Sequence, residues 1–459
     1  IMKLSFAFSV SFLVSCMLLG SAKADELVRV APEEVGLSAQ RLARFSAAMD
    51  KGITAGDFPG ATAAIARNGK IAFFETYGQR DPETNAPMQE DSIFRIASMT
   101  KAVTGVAVMI LYEEGHFRLT DPVSHFIPAF KNMEVVAEDS EETARKGKDT
   151  APDYDEKWLK ENWDTLTKEQ QAQVIASYYK KGAAPEKAKT VPANRPITIR
   201  DLLRHTAGMY SNPPGIWEPG YDLGQMIDSL ASKPLRTHPG NEFEYGLSMD
   251  VLARLVEVVS GQPFDVFIKT RIFDPLGMVD TGFWVPPDKA SRLVAMPGDG
   301  PSDGKSKSGA LAATYLEPPI ILMGGTGLVS TTMDYLRFCQ MLLNGGELSG
   351  ARILGRKAVE LMSQDHMSDV ASREVGKKMA GEFKFGLTFG VKDKPGNTGA
   401  LGSAGTYYWG GAYGTSFWID PEENLIGVFM VNGIKDEKGR GHMPYSEMLE
   451  HFTYQALVD

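Results

Sequence analysis

Residues 94–115, FRIASMTKAVTGVAVMILYEEG, place a serine, a threonine and a lysine at the head of an almost unbroken apolar run. Because the run is apolar on every face of a helix, it predicts a helix that passes through a hydrophobic core. Positions three apart lie on one helix face, so the Lys101 amine can approach the Ser98 hydroxyl on the first turn. A lysine on a buried helix is costly unless another group uses it, which makes this pair a candidate for chemistry.

The two side chains suit nucleophilic catalysis. A serine hydroxyl is a weak nucleophile at neutral pH and needs a base, and a lysine serves as that base where burial disfavours its ammonium form. Free backbone amides and the positive end of the dipole at a helix start also favour a developing oxyanion. The alternative is that Ser98 is a helix cap and Lys101 a solvated residue of the first turn.

Two further segments carry candidate site residues. In HPGNEFEYGLSMD, Tyr245 follows a Pro-Gly turn and precedes a predicted helix, so its phenol could transfer a proton; otherwise it is an ordinary half-buried aromatic. In residues 407–418, YYWGGAYGTSFW, Gly410 and Gly411 interrupt a strand pattern and indicate a close approach to the backbone. The Ala412 amide could supply half of an oxyanion hole there, although a simple glycine bulge explains the same pattern.

Strand patterns occur at both ends of the chain. GATAAIARNGKIAFFETYG predicts a hairpin that turns at Asn68 and Gly69, and residues 405–433 predict three more strands. Amphipathic segments near each terminus predict covering helices, and the middle, with ITIRDLLRHTAGM and LSMDVLARLVEVVSG, is mostly helical. The prediction is an α+β fold with one antiparallel sheet of about five strands, flanked by helices, plus a mostly helical lobe.

The first residues have the features of a targeting segment. Lys3, an apolar run and an Ala-x-Ala site predict a signal peptide over residues 1–24 that is cleaved after Ala24, so the protein is expected to be exported and to be periplasmic or secreted. Lipoprotein anchoring through Cys16 is the alternative. The apolar run is too short to indicate a stable membrane span.

Composition divides the remaining chain. Residues 25–131 and 310–459 are predicted to form the sheet-and-helix lobe, and residues 191–309 the helical lobe. Residues 132–190 stand apart, because 23 of these 59 residues are charged. They predict a charged helical insertion, which is either a decorated surface segment or a lid over the site.

Several classes of function are disfavoured. The formal net charge of −10 and the lack of a basic tail argue against nucleic-acid binding. The seven histidines show no HxH or HExxH spacing, so neither a metal nor another cofactor is expected, and His205 is interpreted as structural. Processing would leave Cys339 alone, which excludes an intrachain disulfide and predicts a buried apolar residue. The sequence does not indicate an oligomeric state.

Taken in order, Ser98-Met99-Thr100-Lys101, Tyr245-Gly246-Leu247 and Trp409-Gly410-Gly411 resemble the serine β-lactamase and penicillin-binding-protein superfamily. The chain is most similar to its family VIII carboxylesterase branch, which is like class C β-lactamases, over nearly the whole mature length except residues 132–190. The resemblance implies that Ser98 is the acylated nucleophile, Lys101 its general base and Tyr245 the proton shuttle. It also implies an oxyanion hole formed by the backbone amides of Ser98 and Ala412.

Two departures from the β-lactamase pattern bear on the substrate. Leu247 replaces an asparagine, and Trp409, Gly410 and Gly411 replace a Lys-Thr-Gly triplet whose lysine binds the β-lactam carboxylate. These four residues are the predicted substrate contacts, and an apolar wall there favours neutral esters. We expect a serine carboxylesterase that hydrolyses short- to medium-chain acyl esters through an acyl-enzyme on Ser98. Weak hydrolysis of β-lactams is compatible with this function. The alternatives are a β-lactamase, DD-peptidase or amidase, or a catalytically silent binding protein.

Overall fold

A computed structural model describes residues 27–137, 188–211, 213, 215–216, 220–296, 315–370, 384–433 and 444–458. Its strands are β1 Gly60–Arg67, β2 Lys70–Asp81, β3 Ala86–Pro87, β4 Phe94–Arg95, β5 Glu134–Val136, β6 Thr190–Pro192, β7 Val329–Ser330, β8 Glu347–Leu348, β9 Ala351–Arg352, β10 Lys384–Phe385, β11 Gly390–Val391, β12 Tyr407–Gly410, β13 Ser416–Asp420 and β14 Leu425–Val431. Its α-helices are α1 Ala39–Ala55, α2 Thr100–Glu113, α3 Ile199–Leu203, α4 Leu223–Ala231, α5 Ser248–Ser260, α6 Phe264–Ile268, α7 Asp274–Leu276, α8 Thr332–Leu343, α9 Arg356–Met362, α10 Pro395–Thr398 and α11 Tyr445–Ala456.

The main sheet joins the two ends of the chain. It has eight strands in the order β10-β11-β12-β13-β14-β1-β2-β3, and neighbouring strands pair antiparallel. Asn68 and Gly69 both adopt positive φ angles, 54° and 74°, as the predicted tight hairpin requires. The five long strands were predicted, and short edge strands extend the sheet beyond them. The predicted α+β fold is confirmed.

Every residue of β1 is buried, because the sheet is covered on both faces. Ala61, Ala63 and Ile65 pack in one apolar cluster with α1 and α11, whereas Ala64 and Ala66 belong to the larger cluster that contains α2 and α8. Cys339 of α8 is buried and free, as predicted.

Helix α2 passes through the larger cluster, and all residues from Thr100 to Leu111 are buried. It packs against α5, which ends at Gly261 with a left-handed φ of 69°. The prediction of a core helix is confirmed, but its start is not where the sequence placed it. Ser98 lies in a separate 3-10 turn, Ala97–Met99, and the α-helix begins at Thr100.

One predicted helix is shorter than its sequence pattern, and part of the predicted insertion lies outside the described residues. The helix predicted within ITIRDLLRHTAGM is only Ile199–Leu203, because His205 and Gly208 take positive φ angles that turn the chain away. The ends of the charged insertion pair as β5 and β6, while its interior, residues 138–187, lies outside the described residues. So do the predicted signal peptide and residues 297–314. No helix of the described part is long and apolar enough to span a bilayer.

One close contact in this core gives a stability prediction. A Cβ on Gly105 of α2 would lie 2.5 Å from both Oγ1 and Cγ2 of Thr388. Replacing glycine by alanine in a helix normally stabilises by about 1 kcal/mol, whereas overpacking a core costs about 1–3 kcal/mol. We therefore expect Gly105→Ala to lower the melting temperature.

The matched control removes the obstacle. Thr388 has a φ of 81°, which glycine adopts without strain. In a Thr388→Gly background, Gly105→Ala is expected to be neutral or stabilising in thermal unfolding followed by circular dichroism. An increase in melting temperature for Gly105→Ala in the wild-type background would contradict the clash.

Candidate active site

Ser98 lies in a constrained turn between strand β4 and helix α2. Strand β4 pairs with β7, and the amide side chain of Asn432 bonds both the Arg95 amide, at 3.2 Å, and the Arg95 carbonyl, at 3.1 Å. Ala97 then adopts a φ of 43°, which is uncommon for a residue with a side chain and is typical of functional turns. The turn leaves Ser98 partly exposed at the head of α2 while its chain neighbours are buried.

Lys101 is only 5% exposed, and its amine has two hydrogen-bond acceptors. Nζ donates to Ser98 Oγ at 3.1 Å and to the Gly325 carbonyl at 2.6 Å. The loop that supplies Gly325 is fastened to α2: Thr100 Oγ1 accepts from the Leu328 amide at 3.1 Å, and Thr104 Oγ1 donates to the Gly324 carbonyl at 2.7 Å. Hydroxyl groups on α2 therefore position the Gly325 carbonyl, which accepts a hydrogen bond from Lys101.

Asp250 is a site residue that sequence reasoning missed. This third residue of α5 is 1% exposed, and its Oδ1 accepts from the Gly325 amide at 3.0 Å. Burial raises the pKa of the Asp250 carboxyl to about 6, and the Lys101 charge and the Gly325 hydrogen bond limit that rise. Gly325 thus bridges the two charged groups, since its amide bonds Asp250 and its carbonyl bonds Lys101. The only signal in the sequence is an acid among buried apolar positions of SMDVLARLV.

Tyr245 completes the group of side chains around the amine. Lys101 Nζ lies 4.6 Å from the centre of the Tyr245 ring, over its face, which is a favourable cation–π geometry. The Tyr245 hydroxyl accepts a hydrogen bond from the indole N–H of Trp409 at 3.1 Å. The structure therefore brings Ser98, Lys101, Tyr245 and Trp409 together from distant parts of the chain.

His205 supports the loop that carries Tyr245. Its carbonyl accepts from the Glu244 amide at 2.8 Å, and its ring lies 4.8 Å from the Tyr245 ring between centroids. Within the described residues, neither ring nitrogen has a hydrogen-bond partner. Complete burial and the Lys101 charge hold the pKa of His205 well below its usual range, so the imidazole is neutral. The structure places it behind the tyrosine as part of an aromatic wall.

Gly410 and Gly411 lie at the end of β12, close to Ile96, which precedes the turn that contains Ser98. A Cβ on Gly411 would clash with Thr415 Oγ1 and lie 2.5 Å from the Ile96 carbonyl oxygen, so only glycine fits. The turn after β12 closes through bonds from Gly411 to Thr415 at 2.7 Å and from Gly414 to Gly411 at 2.9 Å. Neither of these two bonds uses the amide of Ala412, an exposed residue, and its part in an oxyanion hole stays a prediction.

Leu247 differs from the other predicted substrate contacts. It is 7% exposed, it packs in the main apolar cluster, and it immediately precedes α5. Because its side chain is buried, direct contact with a substrate stays a prediction.

No group of His, Cys, Asp or Glu side chains in the described ranges is arranged to hold a metal ion. Tyr245 lies against the Lys101 amine, and Asp250 bonds the amide of Gly325, whose carbonyl accepts from the same amine. A serine hydroxyl bonded to a buried amine, next to a phenol, has the groups needed for acyl transfer.

The chain is similar to known proteins along most of its length. A profile of the beta-lactamase family matches residues 44–450. An uncharacterized protein of Mycobacterium tuberculosis is 31% identical over 83% of this chain and 88% of its own length. Esterase EstB of Burkholderia gladioli is 26% identical over 87% of this chain and 93% of its own.

A solved structure supports the fold. EstCE1, described as a hydrolase with promiscuous acyltransferase activity, superposes with a TM-score of 0.66 at 24% identity, covering 92% of this chain and 99% of its own. The family match spans most of the chain, and the fold and the sequence relatives agree with it. The chain belongs to the beta-lactamase family.

Proposed function

We propose that this serine hydrolase is a carboxylesterase that cleaves short- to medium-chain acyl esters through an acyl-enzyme on Ser98. The observation that carries the proposal is the 3.1 Å hydrogen bond from a buried lysine amine to a partly exposed serine hydroxyl. The similarity to an esterase, EstB, supports the choice of ester over amide. The indole of Trp409, an uncharged group on β12, favours a neutral substrate.

In the proposed acylation, the Lys101 amine accepts the Ser98 proton while Oγ attacks the ester carbonyl carbon. The negative charge that develops on the carbonyl oxygen is stabilised by the amides of Ser98 and Ala412. Removal of one such donor typically lowers turnover by about 10²- to 10³-fold. Tyr245 then protonates the departing alkoxide, and water hydrolyses the acyl-enzyme in a second step.

Asp250 has a supporting part in this scheme. When Lys101 takes up the serine proton, a positive charge forms in a buried place, and an uncompensated buried charge is strongly unfavourable. The Asp250 carboxylate, on the other side of Gly325, supplies the opposite charge. It also holds the Gly325 amide, so the carbonyl of that residue stays directed at the amine.

The substrate class can be tested directly. We expect kcat/KM for p-nitrophenyl butyrate to exceed the values for nitrocefin and for a D-Ala-D-Ala peptide by a wide margin. Weak nitrocefin turnover agrees with the proposal, because the acylation groups are shared. A clear preference for either amide substrate would contradict it in favour of a β-lactamase or peptidase.

Lys101→Ala tests the base. Without the amine the serine lacks its proton acceptor, so kcat/KM on p-nitrophenyl butyrate should fall by at least about 10³-fold. Lys357→Ala, which removes a lysine whose side chain is 78% exposed, is the control and should leave the activity unchanged. Thermal melts show whether both variants are folded, and a loss below about tenfold in folded Lys101→Ala would refute the assigned role.

Asp250 predicts a pH dependence of stability. Its pKa of about 6 in the folded protein lies above the ordinary value of 3.8, so the folded state holds the proton more tightly than the unfolded state does. The contribution of this group to the free energy of unfolding therefore decreases as pH rises from about 4 to about 6. Relative to Asp250→Asn, the wild-type protein should lose roughly 2 kcal/mol over that interval.

Urea unfolding of both proteins between pH 4 and 7 provides the measurement. Taking the difference between the two proteins cancels other groups, including Asp334, whose pKa burial also raises to about 6. If the free energies of unfolding of the wild type and Asp250→Asn changed equally with pH, the raised pKa of Asp250 would be contradicted.

A further inference from the structure

The hydrogen bond between Trp409 and Tyr245 has a fixed direction. An indole N–H is a donor only, so the Tyr245 oxygen must be the acceptor in the 3.1 Å contact. With one acceptor position filled, the hydrogen of the phenol remains available for donation to another group. The bond therefore orients the proton of Tyr245 as well as its ring.

Trp409 is itself held in place. In the sheet it pairs with Phe417, and its ring packs edge-on against Phe385 at 5.2 Å between centroids. The Trp409 and Tyr245 rings are 5.5 Å apart. Packing against these two rings restricts the indole, so little conformational freedom is lost when it bonds the phenol.

We propose that Trp409 is a positioning residue that acts through Tyr245 and directs the phenol proton to the leaving alkoxide. This inference rests on the proposed esterase function. As the bond between the acyl carbon and the leaving oxygen breaks, its electron pair stays on that oxygen, and the Tyr245 O–H bond breaks to form the O–H bond of the alcohol. The phenolate that remains accepts the indole hydrogen bond, and the proton that Lys101 took from Ser98 restores the phenol.

Esters differ in how strongly their cleavage depends on proton donation from Tyr245 to the leaving group. A p-nitrophenolate leaves readily without protonation, whereas an alkoxide from a simple alkyl ester is a poor leaving group and depends on a general acid. The indole donor should therefore matter most for esters of aliphatic alcohols. An apolar packing role for Trp409 would affect both classes of ester alike.

Trp409→Phe removes the N–H and keeps an aromatic ring. We expect kcat for ethyl butyrate, followed by pH-stat titration, to fall by about 10- to 100-fold, and kcat for p-nitrophenyl butyrate to fall by less than about threefold. The ratio of the two activities in one preparation is independent of how much enzyme is folded. Equal losses on both esters in the folded variant would overturn the proposal.

Trp418→Phe is the matched control on the neighbouring strand. Trp418 is buried and stacks on Tyr454, and within the described residues its indole nitrogen has no hydrogen-bond partner. Its replacement should leave the ratio of the two activities unchanged. A change in that ratio equal to the one in Trp409→Phe would also overturn the proposal.

Tyr245→Phe supplies a second comparison. If Trp409 acts through the phenol, adding Trp409→Phe to Tyr245→Phe should cause no further loss on ethyl butyrate, whereas independent roles would give multiplied losses. Should Trp409→Phe fail to fold, Trp409→Leu provides another protein without an indole for the same measurements. Failure of the esterase proposal is distinct, because it appears in the wild-type protein as a preference for nitrocefin or the D-Ala-D-Ala peptide over p-nitrophenyl butyrate.

Discussion

The site depends on keeping one lysine amine out of water at the head of an apolar helix. An amine without partners in such a place would cost several kcal/mol, so the surrounding structure has to satisfy it. Ser98 Oγ and the Gly325 carbonyl accept its hydrogen bonds, and the face of Tyr245 covers it. Each of these partners comes from a different part of the chain, so formation of the site requires that the sheet, α2 and α5 are packed together.

The backbone around this amine is correspondingly constrained. Asn432 at the end of β14 ties down the strand before Ser98, and Gly411 allows β12 to approach the Ile96 carbonyl without a clash. Thr100 and Thr104 fasten the loop that contains Gly325. Rigid placement of a nucleophile and its base between regular elements is the arrangement that reduces the reorganisation needed during reaction.

Much of this could be predicted from local patterns. The alternation of residues and the Asn68-Gly69 pair identified the hairpin, and spacing alone placed Lys101 near Ser98. The start of α2 was misplaced because the left-handed φ of Ala97, an alanine, has no marker in the sequence. Asp250 and Gly325 escaped prediction because their contact joins residues 75 positions apart, and the contact of Gly325 with Lys101 spans 224 positions.

The orientation of the Trp409 side chain is another feature that the sequence could not predict. The sequence indicated an apolar wall, but the direction of the indole N–H depends on the register of β12 and on packing against Phe385, which only the tertiary structure fixes. Similarly, ITIRDLLRHTAGM has the spacing of a longer helix, yet the turn at His205 ends it so that the His205 carbonyl meets the Glu244 amide. In both cases tertiary contacts override the local pattern.

The central claim is that Ser98 is a nucleophile activated in this buried setting. Incubation with a fluorophosphonate, followed by intact-mass measurement and peptide mapping, tests it most directly. The account predicts one covalent adduct on Ser98 that is absent from Ser98→Ala. No adduct on the folded wild-type protein, or an adduct that persists in Ser98→Ala, would contradict it.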